Sequence, residues 1–60
     1  MTIKEIIPNL NKGVIYNGSV YTLTGSIIRL TDNGLYYQAE IMDRNNNSVC
    51  IVRLEDITAI

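Results

Sequence analysis

Histidine, tryptophan and phenylalanine are missing from this chain, and cysteine and proline occur once each. A lone thiol without any imidazole rules out a disulfide within the chain and a thiolate–imidazole zinc site. It also leaves Cys50 without an obvious activating base, so a buried structural thiol is expected there. Charge of one sign is equally lacking. Five basic residues stand against six acidic ones, for a net charge of −1, and the isoelectric point is near 5.0. That leaves no basic footprint for phosphate. The apolar runs are far too short to span a bilayer, and Met1-Thr2-Ile3-Lys4-Glu5 has neither the apolar stretch nor the small-residue cleavage site of a signal peptide. The expectation is a cytoplasmic protein in a reducing compartment. Cofactor, metal, membrane and small-molecule substrate are not expected. Asp43, Glu55 and Asp56 are the only clustered carboxylates, and they read as turn and cap residues. No nucleophile–base pair is visible, so the chain is expected not to be an enzyme.

What the chain has in quantity is turn signals between strand-like runs. Asn17-Gly18 is a type I′ hairpin signal, because both central residues of that turn need positive φ. Asn33-Gly34 within Asp32-Asn33-Gly34 marks a second hairpin, and Arg44-Asn45-Asn46-Asn47 a third. The strands predicted between them are Val14–Tyr16, a long run from Ser19 to Leu30, then Tyr37 and its neighbours up to Asp43, and a run from Ser48 to Leu54. The phase of the long run switches at Thr24-Gly25-Ser26, which reads as a β-bulge or barrel corner at Gly25. Leu54-Glu55-Asp56-Ile57 looks like a 3₁₀ step before a last strand, Thr58–Ile60. At the start, Thr2 and Glu5 have capping-box spacing, and the short helix they open should stop at Ile7, before Pro8.

Pairing outward from the second turn places Leu30 opposite Tyr37 and Ile28 opposite Ala39. The third turn places Asp43 opposite Ser48, Ile41 opposite Cys50, and Ala39 opposite Val52. Both hairpins choose the same phase of the shared strand, and a one-residue slip would invert every side chain. The inner face is then Ile28, Leu30, Tyr37, Ala39, Ile41, Cys50, Val52 and Leu54. The outer face still carries Ile27, Met42, Val49 and Ile51, with Arg29, Gln38 and Arg53 further along and Tyr36 near a turn. The polar-edged apolar set has the anatomy of an interface. The N-terminal Ile3, Ile6, Ile7 and Leu10, a second copy or foreign partner, or both together would cover it.

Five short strands, a long kinked second strand and a 3₁₀ step before the last one resemble the SH3-like small barrels. Tyr37-Gln38-Ala39-Glu40-Ile41-Met42-Asp43, then Asn46 and Val52-Arg53-Leu54-Glu55-Asp56-Ile57, look most like the Tudor-type members, over about residues 19–57. The resemblance implies an all-β, five-stranded SH3-like barrel with a short N-terminal helical turn. Residues 1–60 would be one domain, with 1–10 as helix or cap and 14–60 as barrel. In Tudor domains that bind methylated side chains an aromatic cage holds the cation. Here Arg44 follows Asp43 in place of an aromatic, and tyrosines are the only aromatics, so that function is not carried over.

A domain this small buries only about 60% of its extended-chain surface, and with disulfide and metal excluded a partner surface is the remaining supplement. The expected function is a small non-catalytic protein-interaction or assembly module, with a protein partner or a second copy of itself. Its interaction surface would be Ile27, Arg29, Tyr36, Met42, Val49, Ile51 and Arg53. An Ile- and Asn-rich composition suits an accessory protein of a bacterial mobile element or phage. The alternative is a single-stranded nucleic-acid-binding barrel using Tyr36 with Arg29 and Arg53. The acidic balance argues against nucleic acid.

Overall fold

The computed structural model describes all sixty residues. A 3₁₀ turn (Ile3–Glu5) runs into one turn of α-helix, α1 (Ile6–Asn9). The strands follow as β1 (Gly13–Tyr16), β2 (Ser19–Thr31), β3 (Gly34–Asp43) and β4 (Ser48–Arg53). A second 3₁₀ turn (Leu54–Asp56) leads to β5 (Ile57–Ala59). All five strands form one antiparallel sheet in the order β4-β3-β2-β1-β5. No ladder joins β4 to β5, so the sheet stays open. No helix is long and apolar enough to cross a membrane.

Turn chemistry explains the hairpins. Asn17 and Gly18 both have positive φ, at 52° and 81°, and Tyr16 pairs with Ser19, as a type I′ turn requires. The second hairpin turns one residue earlier than its Asn33-Gly34 signal suggests. Thr31 pairs with Gly34 across Asp32-Asn33, and the positive φ falls on Gly34, at 108°, not on Asn33. That is the pattern of a type I turn followed by a glycine. The β2–β3 register therefore differs by two residues from the expected one. Leu30 faces Leu35 and Ile28 faces Tyr37. A two-residue shift keeps every side chain on its face, so the face assignment survives. The third hairpin pairs as expected, from Asp43↔Ser48 to Gln38↔Arg53. Its asparagines make the turn: the Asn45 N–H donates to Asp43 Oδ1 at 2.9 Å, and the Ser48 N–H to Asn46 Oδ1 at 3.0 Å.

The ladder between β2 and β3 jumps from Leu23 to Gly25, leaving Thr24 as the extra residue of a bulge. Its hydroxyl lies 3.0 Å from Glu40 Oε2 and 3.1 Å from the Glu40 carbonyl oxygen, which ties down the bulged residue. The bulge sets the phase change expected at Thr24-Gly25-Ser26. It puts Leu23 and Ser26 on the same face, since their partners Ile41 and Ala39 share one.

The core on that face consists of Ile6, Val14, Leu23, Ala39, Ile41, Val52, Leu54 and Ile57. Met1, Tyr16, Tyr21 and Tyr37 pack against it. Four of the eight expected inner residues are thus buried and Tyr37 is partly so. Ile28, Leu30 and Cys50 are exposed instead, and strand lengths explain the first two. β1 pairs only with Ser19–Thr22, and β4 only with Gln38–Asp43. Beyond Ile27 and Gln38, β2 and β3 continue as a two-stranded arm with no third strand on either edge. Cys50 lies on the edge strand, where no further strand flanks it.

Pro8 sits inside α1 instead of ending the helix before it. In a helix's first turn its missing N–H has no intrahelical acceptor to lose. Asn9 Nδ2 donates to the Glu5 carbonyl at 2.8 Å across this turn, and the Met1 nitrogen donates to the Ile57 carbonyl at 2.7 Å. These contacts set Ile6 into the core. The molecule measures 37 × 21 × 18 Å with a radius of gyration of 11.2 Å, against about 10.4 Å for a compact chain of this length. The arm accounts for the elongation.

Candidate interaction surface

The outer face is ordered in rows by the two ladders that share β3. Val49, Met42 and Thr22 form the first row, Ile51, Glu40 and Gly25 the second, and Arg53, Gln38 and Ile27 the third. Tyr36 and Arg29 make the fourth. Rows two residues apart along a strand put the whole set within roughly 20 Å. The structure thus places Ile27, Arg29, Tyr36, Met42, Val49, Ile51 and Arg53 on one face. The two-residue register shift moves Ile27 beside Gln38 instead of Glu40.

Exposure divides this set. Val49 and Ile51 are 52% and 46% exposed and Tyr36 is 40% exposed, whereas Ile27 and Met42 are half-buried. The isoleucines of the N-terminal segment do not cover the face. Ile6 is buried on the opposite side, in the core, and Ile3, Ile7 and Leu10 remain exposed. One end of the face is closed differently. Arg44 lies over buried Thr22, donating from Nε to Thr22 Oγ1 at 3.0 Å and from Nη2 to Asn11 Oδ1 at 2.7 Å. The two arginines of the outer set already have partners within the chain. Arg29 Nε donates to Gln38 Oε1 at 2.8 Å, and Arg53 pairs with Glu55 at 3.5 Å with both side chains about seven-tenths exposed. A pair so exposed contributes at most about 1 kcal/mol.

A second apolar surface escaped the sequence reading. Leu30, Ile28 and Leu35 are 82%, 60% and 60% exposed on the core-side face of the arm. The signal was available in the strand lengths: a four-residue β1 cannot flank the whole of a thirteen-residue β2, nor a six-residue β4 the whole of a ten-residue β3. Along the β3 edge of the arm runs a groove of about 790 Å³, whose lining includes Met1, Ile3, Leu35, Tyr36, Tyr37 and Arg53. No cluster of three or more metal-ligating side chains occurs. Tyr16 and Tyr21 make an edge-to-face pair with centroids 6.0 Å apart, and Tyr36 is the most exposed of the four tyrosines.

Compared with protein-family models, curated proteins and solved structures, the chain matches none. The structure itself shows a small all-β fold, one open five-stranded antiparallel sheet.

Proposed function

We propose that this chain is a small, non-catalytic protein-interaction module built on an SH3-like strand order. The order β4-β3-β2-β1-β5 and the 3₁₀ turn before β5 support that architecture. The observation that carries the function is the uncovered apolar sheet surface, with Val49 and Ile51 on one face and Ile28, Leu30 and Leu35 on the other. Contiguous apolar patches of this kind mark interaction sites. A Tudor-type recognition of methylated side chains is not part of the proposal. Arg44 occupies the position after Asp43 and is spent on Thr22 and Asn11.

The test uses the whole chain, immobilised as wild type, as Ile51→Glu and as Leu30→Glu. Each is exposed to an extract of the source cells and to the free chain itself. All three are expected to keep the same circular dichroism spectrum, because the altered side chains are exposed. The wild type should retain a defined polypeptide, or its own copy, that at least one variant releases. Retention of nothing by the wild type, or unfolding of both variants, would sink the reading.

A further inference from the structure

We propose that a second copy of this chain is the partner, joined through the open edge of β3 in the arm, with the two copies related by a two-fold axis beside Tyr36. The proposal rests on the protein-interaction reading and names its partner.

On its β4 side β3 is paired only from Gln38 to Asp43, because β4 ends at Arg53 and the chain turns away. Leu35-Tyr36-Tyr37 is left without a strand partner on the side that lines the groove. Natural proteins blunt such edges with charge, proline or a bulge. This segment has none of these. The opposite edge of the arm, along β2, is defended by Arg29 and by the bulge at Gly25. The β3 edge is therefore the one that accepts a strand.

An isologous contact needs a patch that complements itself, and this segment does. Antiparallel pairing about an axis at Tyr36 sets Tyr36 opposite its own copy on the outer face. It also sets Leu35 opposite Tyr37 of the second copy, twice, on the core-side face. Aromatic–aromatic cross-strand pairs such as Tyr36–Tyr36 are favourable, and each Leu35–Tyr37 contact takes apolar surface out of water. The pairing stops where Arg53 already occupies Gln38, so the arm tip of one copy ends beside Arg53 of the other. The only charged residue between Leu30 and Tyr37 is Asp32 at that tip. Its carboxylate comes beside the 71%-exposed Arg53 side chain, which at present has only the long, exposed 3.5 Å contact to Glu55 to exchange or share, so opposite charges meet at both ends.

Area sets a further condition. A stable dimer takes roughly 500–800 Å² from each copy, out of the 4246 Å² this chain exposes. Three paired residues cannot supply that, so the groove and the arm's apolar side chains must be buried with them. The chain has surface to give. A compact monomer of 6.7 kDa exposes only about 3,900 Å².

The experiment is sedimentation velocity from about 1 µM to about 1 mM, a range that brackets common homodimer affinities. It compares the wild type with Tyr36→Lys, which sets like charges opposite each other, and with Leu35→Glu and Ile51→Glu. A wild-type dimer that persists in Ile51→Glu and is lost in Tyr36→Lys and Leu35→Glu is the expected result. Tyr36→Cys in a Cys50→Ser background should form a covalent dimer on mild oxidation, a readout that does not depend on any variant weakening the fold. A wild type that is monomeric throughout, a dimer that survives Tyr36→Lys, or a dimer lost only in Ile51→Glu overturns the proposal. A monomeric wild type that still captures a foreign polypeptide leaves the interaction reading standing, and one that captures nothing ends both.

Discussion

Glu5 shows how one side chain organises the N-terminal segment. Its Oε1 accepts the Thr2 backbone N–H at 2.8 Å and the Thr2 hydroxyl at 3.1 Å, closing the capping box over the 3₁₀ turn. Those two donors, the backbone one first, favour the ionised carboxylate and hold it below its ordinary value of 4.5, helped by the nearby N-terminal ammonium. The sign of the linkage follows from that lowering. The unfolded chain binds the proton at a higher pH than the folded one, so the stabilisation is complete above the ordinary value and is lost as pH falls through the lowered folded value. Glu5→Gln keeps an acceptor but no charge. Thermal melts of both proteins from about pH 7 to about pH 2 should show the wild type ahead at neutral pH and the gap closing through the acid range. A gap that stays constant with pH would mean that the carboxylate's charge does not matter to the cap. Elsewhere a residue's worth depends on its place along its strand. Ile41 and Ile28 share a face, yet one is fully buried and the other stands on the arm.

At the scale of elements, the second hairpin carries the sharpest lesson. Two turn types fit Asp32-Asn33-Gly34, and they differ in which residue takes positive φ. The structure assigns it to Gly34 alone, so Asn33→Ala should change stability by no more than about 0.5 kcal/mol. Gly34→Ala should cost more than about 1 kcal/mol, since alanine is strained at a φ of 108°. Urea unfolding of the two variants checks this, and equal losses would restore the type I′ turn. The hydrophobic pattern could not decide between the two turns, because their registers differ by two residues and leave the same side chains on the same faces. It did settle what depends on parity: the faces of β3 and β4, the pairing of the third hairpin, and the bulge at Gly25. The candidate surface was legible for the same reason, since Met42, Val49 and Ile51 needed only the correct phase. The arm was not. Phase says which way Ile28 and Leu30 point, but whether anything lies beneath them depends on neighbouring strands too short to reach that far.

For the whole molecule, size and shape together bear on whether a single chain suffices. Sixty residues bring a folding free energy of only about 3–9 kcal/mol, and a two-stranded ribbon is marginal in water by itself. This chain nevertheless extends such a ribbon beyond its core, with Leu30, Ile28 and Leu35 exposed along it. If a second copy covers that ribbon, mass action ties stability to concentration, and each hundredfold excess over the dissociation constant contributes about 2.7 kcal/mol. For a domain of this size that is a shift in the melting midpoint of roughly 10–20 °C. Calorimetry on the wild type at rising concentration should show the midpoint climbing on that scale. Tyr36→Lys, with its edge blocked, should melt at one temperature throughout, near that of the dilute wild type. A wild-type midpoint indifferent to concentration would mean that the arm is stable uncovered, and that the apolar surface is held open for something other than its own kind.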